Sequence, residues 1–391
     1  MSKSFLPSWA ALTPLETERL AHNERLLHAL LTKRGSLPFA DYMEWALYHT
    51  DVGYYASREV FDAAGDYITA PLLSAHFATC LARQWAAVLP TNKGVIMEVG
   101  AGNGQLAIDT LKALDAQGAK PDHYWLIERA AKQRARAAER IAREIPQWMD
   151  RIHITDSWPD AKAHIIVANE LLDALPAYPF RMRGGMALAL HVALEKNRPR
   201  MVEGPPDFEL TEALRDLALP DGYESETIPG QSNFLKEAAA HLAHGVILLI
   251  DYGFPRAEFY HPDRATGTIM CHFRHKAHPD PLLLPGLQDI TAHVDFSALA
   301  FCAEELGLTV EGYTSQAAFL LSLGLGESMP DDERAAHAAR SAIKRLTLPH
   351  EMGELFKVIA FGRNLEAPLQ GFRLLDRRRG LWRKPSASEG T

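Results

Sequence analysis

Three glycines at alternate positions follow a short apolar run. Residues 98–106 read Glu-Val-Gly-Ala-Gly-Asn-Gly-Gln-Leu, which places the glycines at Gly100, Gly102 and Gly104. Glycine adopts backbone conformations that other residues avoid, and it lets a ligand approach the main chain closely. Gln105 stands where a dinucleotide-binding motif has its third glycine, and no Gly-Lys-Ser/Thr follows. The loop therefore predicts a nucleotide-like ligand other than NAD or a P-loop nucleotide.

Two acidic residues accompany this loop. Glu98 precedes the first glycine by two residues, and Glu128 ends the next apolar run. A carboxylate at the end of that second strand can accept hydrogen bonds from both hydroxyls of a ribose. Negative charge also attracts a methyl donor that carries two positively charged groups, a sulfonium and an ammonium. We predict S-adenosyl-L-methionine as the cofactor, with Glu98, the three glycines and Glu128 among its binding residues.

A third segment is expected to contact the adenine ring of this cofactor. Asp156 and Ser157 end the third predicted strand and precede Trp158. A carboxylate and an indole can bracket an adenine ring. Each of these features also has a structural explanation, because a glycine-rich turn can serve only for close packing and a carboxylate at a strand end can cap a helix. Taken together, the features favour the cofactor site.

The segment 168–176 reads Ala-Asn-Glu-Leu-Leu-Asp-Ala-Leu-Pro and closes the fourth predicted strand. Ligands of open α/β sheets bind at the carboxyl ends of the strands, so Asn169 and Glu170 are expected at the cleft. If the methyl acceptor is a guanidinium, a carboxylate must hold its positive charge while one nitrogen reacts. Glu170 is our first candidate for that role. Asp173 is the second, although capping of the following helix explains it equally well.

His293 is a candidate to take up the proton that methylation releases, since an unperturbed histidine has a pKa of about 6.5. The alternative is a hydrogen-bonded core histidine. Cys271, His272, His275 and His278 could suggest a metal site, but their spacing matches no zinc motif. We interpret them as loop residues and predict that no metal is bound.

The secondary-structure elements that must position these residues begin at residue 93. From there, short apolar runs alternate with helical stretches. Strands that are apolar throughout need cover on both faces, which indicates a doubly wound α/β core over 93–363. Residues 1–92 are predicted to be helical, with a long aromatic loop at 54–71. Insertions are expected at about 178–235 and 254–289, and residues 364–391 are expected to form a flexible basic tail.

Composition limits the function further. The 391 residues carry a net charge of -8, which repels nucleic acids. Three widely spaced cysteines suggest reduced thiols, and no apolar run reaches the length of a membrane span or a signal peptide. We therefore expect a cytoplasmic protein without a membrane span.

Six ordered motifs resemble the MidA family of S-adenosyl-L-methionine-dependent methyltransferases. The motifs are the glycine loop and residues 65–71, 169–176, 250–253, 286–296 and 353–357, and the likeness runs from about residue 20 to residue 363. That family includes a mitochondrial complex I assembly factor that methylates an arginine. The resemblance implies a class I methyltransferase fold, Rossmann-like with a mostly parallel seven-stranded sheet, an N-terminal helical extension and an inserted subdomain.

The resemblance also implies roles for individual residues. Gly100, Gly102 and Gly104 would meet the methionine part of the cofactor, and Glu128 the ribose. The segment that contains Thr69 and Pro71 would close over cofactor and substrate. A protein substrate with an arginine acceptor is the leading hypothesis, and self-association into a homodimer is left open. The alternatives are a small-molecule methyltransferase and a non-catalytic assembly factor that keeps the fold.

Overall fold

The computed structural model describes residues 6–57, 70–90, 94–327 and 329–383. Its central sheet has the strand order β6-β7-β5-β4-β1-β2-β3, in which β7 runs antiparallel to both neighbours and the other pairings are parallel. The doubly wound fold that the apolar runs predict is confirmed. The seven strands are β1 (Val95–Val99), β2 (His123–Ile127), β3 (Ile152–Thr155), β4 (Ala163–Asn169), β5 (Leu242–Phe254), β6 (Thr309–Ser315) and β7 (Phe356–Arg363).

Alternate residues of the central strands enter two separate cores. In β4, Ile165 and Val167 pack into the core on one face of the sheet, whereas Ile166 and Ala168 pack into the core on the other. Successive side chains of a strand point to opposite faces, so a strand covered on both sides must be apolar at every position. This burial fixes the register that brings the ends of β1, β4 and β5 together.

Helices cover both faces and extend the N-terminal side. In the N-terminal region that is predicted to be helical, one helix spans Phe39–Tyr48. Asp295, whose carboxylate accepts from Ser297 and Ala298, caps the helix before β6. The α-helices are Pro14–Arg34, Phe39–Tyr48, Tyr54–Ser57, Ala70–Leu73, Ala75–Ala86, Gln105–Ala116, Ala131–Glu144, Phe208–Leu214, Pro229–His241, Arg256–Phe259, Phe296–Glu305, Gln316–Ser322, Glu333–Thr347 and Met352–Leu355. Within the part of the chain that the structure describes, none of them has both the length and the apolar character to cross a membrane.

Two smaller antiparallel sheets lie in the regions expected to be insertions. Ser36–Pro38 from the N-terminal region pairs with Met186–Glu195, so the first of these sheets joins both parts of the chain. The sheet comprises Ser36–Pro38, Tyr178–Arg183, Met186–Glu195, Arg198–Asp207 and Glu224–Thr227. The second comprises Met270–Phe273, Lys276–His278 and Asp289–Thr291, and the short strand Val294–Asp295 extends the end of β5.

The C-terminal residues differ from the flexible tail that the sequence predicts. Leu381 is fully buried, and the short 3-10 helix Arg378–Trp382 lies against the core. Arg377 pairs with Glu354, and the Arg378 guanidinium donates to the carbonyl oxygen of Val310 at 2.9 Å. The prediction is therefore wrong for residues 364–383: the basic run is anchored by carboxylates, carbonyls and apolar contacts that composition alone does not reveal.

Candidate active site

The glycine loop connects β1 to the helix Gln105–Ala116. Gly100, Gly102 and Gly104 all have positive φ, at 74°, 53° and 77°. A Cβ at Gly100 would lie 2.9 Å from Leu171 Cδ1, and one at Gly104 would lie 3.2 Å from Ala137 Cβ. These two glycines are thus required by close packing as well as by backbone conformation.

A cleft opens directly above this loop. It is bounded by the ends of β1 and β4, by the start of the helix Gln105–Ala116, and by the short helix Ala70–Leu73. Of the residues predicted from sequence, the structure brings together Pro71, Glu98, Gly100, Gly102, Asn169 and Glu170 as its lining. Thr69 and the rest of the loop at 58–69 lie outside the described residues.

Glu98 lies at the base of the cleft and is almost completely buried. The Tyr124 hydroxyl donates a hydrogen bond to its Oε2 at 2.6 Å. Burial raises the pKa of Glu98 to about 8, so the carboxyl is largely protonated at neutral pH. Its contribution to the site is therefore polar rather than a full negative charge.

Glu128 follows β2 and reaches back to the glycine loop. Its Oε2 accepts from the Gly102 N–H at 2.9 Å, and its Oε1 accepts from the Ala130 N–H at 2.8 Å. Burial raises the pKa of this carboxyl, and these two N–H groups offset part of the rise. Each carboxylate oxygen has a further lone pair, so hydrogen bonds from two ribose hydroxyls remain available.

Asp156 and Ser157 lie in the exposed turn after β3. Asp156 forms an ion pair with Arg134 at 3.5 Å, and the Ser157 hydroxyl donates to its Oδ1 at 3.3 Å. Trp158 stacks on His241 with ring centroids 4.7 Å apart. Neither Asp156 nor Ser157 lines the cleft as defined above. Their predicted contact with adenine remains a prediction.

Asn169 and Glu170 line the cleft together with the glycine loop. The Asn169 side-chain amide donates to Glu170 Oε1 at 3.0 Å, and the Ala70 N–H donates to the same atom at 3.2 Å. Asn169 Oδ1 is buried and has no hydrogen-bond partner among the described residues. An unpaired buried acceptor beside the glycine loop fits an ammonium group, such as that of the predicted methyl donor.

The Glu170 backbone is in the left-handed region, with φ at 53°. Such a conformation costs a residue other than glycine about 1–3 kcal/mol and is concentrated at functional sites. Burial and the neighbouring Asp173 raise the pKa of Glu170 to about 8. Within the described part of the chain, Glu170 Oε2 receives no hydrogen bond.

Asp173 lies three residues further on, in the 3-10 turn Leu172–Ala174. Its carboxyl is buried and accepts hydrogen bonds from the Tyr252 hydroxyl and the Ala174 N–H. Burial raises the pKa of Asp173 to about 6. Asp173 does not line the cleft, and the element that follows its turn is the strand Tyr178–Arg183 rather than a helix that it could cap. Its catalytic role remains a prediction.

His293 is half-buried and is not among the residues that line the cleft. Its ring packs against Tyr252 at 5.3 Å and Phe254 at 5.1 Å, measured between centroids. Burial, together with the positive charges of Arg264 and Lys357, lowers the pKa of His293 to about 4. The ring is therefore neutral at pH 7 and holds a proton only weakly.

The cysteine and histidines at 271–278 occupy a small antiparallel hairpin. Cys271 lies in one strand opposite His278 in the other. Among the described residues, no group of three or more histidine, cysteine or acidic side chains is arranged to hold a metal ion.

Sequence reasoning missed three participants in the site. Asp251 was expected to close a strand and border the cleft but was given no role, Tyr124 was not singled out, and the Ala70 N–H is a backbone group. The signal for Asp251 was present, because an acid that ends a buried strand is expected at the carboxyl edge of the sheet. No sequence signal distinguishes Tyr124 from other strand tyrosines.

The chain is similar in sequence to several named proteins. Proteins named "Protein arginine methyltransferase NDUFAF7, mitochondrial" or a homolog of it include one from Drosophila melanogaster, 26% identical over 381 residues, with 85% of this chain and 83% of the relative covered. The Homo sapiens protein is 26% identical over 364 residues, with coverage of 83% and 80%. These mitochondrial names contradict the cytoplasmic location predicted from the sequence, and that prediction is wrong for the family.

A solved structure shows the same fold with a cofactor product bound. It is a Burkholderia thailandensis protein in complex with S-adenosyl-homocysteine, 36% identical, with a TM-score of 0.88 and coverage of 96% of this chain and 99% of that one. The family model described as "Putative S-adenosyl-L-methionine-dependent methyltransferase" matches residues 76–314. The MidA resemblance and the predicted cofactor are confirmed, and the chain belongs to this family of S-adenosyl-L-methionine-dependent methyltransferases.

Proposed function

We propose that this methyltransferase acts on the guanidinium group of an arginine side chain in a protein. The observation that carries the proposal is the Glu170 carboxyl, which lines the same cleft as the glycine loop. Its Oε1 is held by Ala70 and Asn169. The names of the curated relatives support the same acceptor.

Several residues fit the methyl donor. The backbone of Gly100 and Gly102 would lie along its methionine part, Glu128 would accept from the ribose, and Asn169 Oδ1 would accept from the ammonium. Asp156 and Ser157 are proposed to border the adenine. When bound, S-adenosyl-L-methionine supplies an electrophilic methyl group on a sulfonium.

The chain's own residues would act on the acceptor. A guanidinium is positively charged at neutral pH, and Glu170 can accept hydrogen bonds from its non-reacting nitrogens, which holds the charge and aligns the third nitrogen with the methyl group. The new N–C bond forms as the S–C bond breaks, and one N–H proton must leave. Without an acceptor, a pKa near 8 leaves the Glu170 carboxyl largely protonated at neutral pH. A bound guanidinium would lower this pKa, and the carboxylate that then forms would hold the charge and take up the released proton.

A labelling experiment tests the acceptor. Purified protein, S-adenosyl-L-methionine labelled at the methyl group, and lysate from cells that lack the gene are combined, and labelled protein is hydrolysed to amino acids. We expect label in methylarginine. Label confined to small molecules would favour the small-molecule alternative, and absence of both label and calorimetric donor binding would favour a non-catalytic assembly factor.

Two further proposals stand beside this one, and the first follows from the resemblance to the MidA family. One is a role in the assembly of complex I, which loss of complex I activity in a deletion strain would test. The other is a homodimer, which light scattering of the purified protein would test.

A further inference from the structure

Asp251 is a buried acid near the carboxyl end of β5, next to β4, the strand that Glu170 follows. Its Oδ2 accepts from the Leu172 N–H at 2.9 Å and from the Asp173 N–H at 3.3 Å. Its Oδ1 accepts from the Tyr252 N–H at 2.9 Å. One side chain on β5 thus holds the backbone of the turn that leaves β4.

That turn contains the left-handed Glu170. The Glu170 N–H donates to the Ile250 carbonyl at 2.9 Å, which ties the residue to β5 immediately before Asp251. A strained backbone persists only where its surroundings fix it from several sides. The bonds on either side of Glu170 both come from β5, one from the Ile250 carbonyl and the others from the Asp251 carboxyl.

We propose that Asp251 is a positioning residue for methyl transfer, which fixes the turn 170–174 and through it places the Glu170 carboxyl at the cleft. This inference rests on the role proposed above for Glu170. Asp251 itself is expected to touch neither donor nor acceptor, because it does not line the cleft.

The choice of an acid supports positioning rather than simple stabilisation. Asp251 lies beside Asp173 and Glu170, and burial together with these two acids raises its pKa well above the usual range. Burying an acid among acids is unfavourable, so stability alone would favour a neutral side chain. A carboxyl has two acceptor oxygens, however: Oδ2 receives the two N–H groups of the turn while Oδ1 receives the Tyr252 N–H, and an amide has only one acceptor oxygen for these three donors.

The first test is Asp251→Asn, which keeps the volume but replaces one acceptor oxygen by an N–H₂ donor. We expect the initial rate of methyl incorporation into deletion-strain lysate, at saturating donor, to fall about 100-fold, the effect of misplacing a reacting group by about 1 Å. Calorimetric affinity for S-adenosyl-homocysteine should change by less than about threefold. Asp251 is not expected to contact the bound donor, and changes at sites without a shared contact have independent effects.

Asp295→Asn is the matched control. Asp295 is also buried and accepts two backbone N–H groups, from Ser297 and Ala298, but it caps a helix away from the cleft. We expect the methylation rate of Asp295→Asn to stay within about twofold of the wild type even if it loses as much thermal stability as Asp251→Asn, because its site is not coupled to the reaction. A similar rate loss in both variants would overturn the proposal, because general destabilisation would then explain the result.

A double-mutant cycle with Glu170→Gln decides whether Asp251 acts through Glu170. If it does, Asp251→Asn should slow the Glu170→Gln enzyme by less than about twofold, whereas independent effects would multiply. If the double variant instead shows the product of the two single rate losses, or if Asp251→Asn keeps the wild-type rate, the inference is overturned. A wild-type rate in Glu170→Gln alone would instead refute the proposed function. Asp251→Ser replaces Asp251→Asn in the cycle if circular dichroism shows the latter unfolded.

Discussion

The Oε2 atom of Glu128 accepts a hydrogen bond from the backbone N–H of Gly102 at 2.9 Å. This bond joins the acid after β2 to the middle of the glycine loop, which follows β1. The residue proposed to bind the ribose therefore also fixes the loop that would lie along the methionine part of the donor. The two halves of the cofactor site are held in one arrangement before any ligand enters.

We expect Gly102→Val to abolish donor binding while the chain stays folded. Gly102 has φ at 53°, and a β-branched side chain in this region is strained by about 1–2 kcal/mol and would intrude on the cleft. Calorimetry with S-adenosyl-homocysteine measures the loss. Gly118→Val is the control, because Gly118 also has positive φ but a Cβ there meets open space. Retained affinity in Gly102→Val would show that the loop does not bind the donor.

Glu170→Gln should lower methyl incorporation by at least about 100-fold and leave affinity for S-adenosyl-homocysteine nearly unchanged, since a neutral amide cannot balance a guanidinium charge. The initial rate of label transfer to lysate protein measures the effect. Glu226→Gln serves as the comparison: Glu226 is also fully buried, with its pKa raised to about 7, but Thr268 holds it in another part of the molecule. Equal losses in both variants would contradict a specific role for Glu170.

The free energy of unfolding should fall as the pH rises from about 6.5 to 8.5. Burial raises the pKa of Glu98 and of Glu170 to about 8 and that of Glu226 to about 7. In this range the folded chain binds more protons than the unfolded chain, so unfolding becomes more favourable with increasing pH, by about 1 kcal/mol or more in total.

Urea unfolding at the two ends of this pH range measures the change. Histidines with a lowered pKa act in the opposite sense, but only below about pH 6.5. Glu98→Gln should reduce the slope with pH, because it removes one of the titrating groups. Stability that rises over this range would contradict the burial of protonated carboxyls.

His293→Gln should keep methyl incorporation within about threefold of the wild type, since a ring that is neutral and enclosed by Tyr252 and Phe254 is not placed to exchange protons with the acceptor. The same labelling assay, run from about pH 6 to 9, provides the measurement. A rate loss of about 100-fold that is confined to the acid side of the profile would instead support the proton-accepting role considered from the sequence.

The sequence predicts the central sheet well because its inner strands, such as β4 and residues 246–250 of β5, are buried on both faces and therefore apolar at nearly every position. The cleft residues Glu98, Asn169 and Glu170 follow from the same rule, since strand ends in a parallel sheet meet at one edge. Pairing over long sequence distances is different. Leu37 pairs with Val192, and no local pattern specifies that partner.

The role of Asp251 could not be read from its position either. Its hydrogen bonds go to backbone N–H groups, which every residue except proline carries. The packing of Leu381 similarly depends on a complementary surface that forms only after the sheet has folded. Electrostatic shifts such as that of Glu170 depend on neighbours brought together by tertiary structure, so residue type alone assigns them an ordinary pKa.

Ser36–Pro38 covers the stretch of Met186–Glu195 that Tyr178–Arg183 leaves unpaired, because the latter strand reaches only as far as Ala189. Edges of this kind attract other chains when they are uncovered. Proteolytic removal of the residues before Phe39 would expose the backbone amide and carbonyl groups around Val192 and create an unpaired strand edge that can bind other chains. The strand Ser36–Pro38 thereby protects the sheet against aggregation, which is separate from any contribution of the N-terminal region to catalysis.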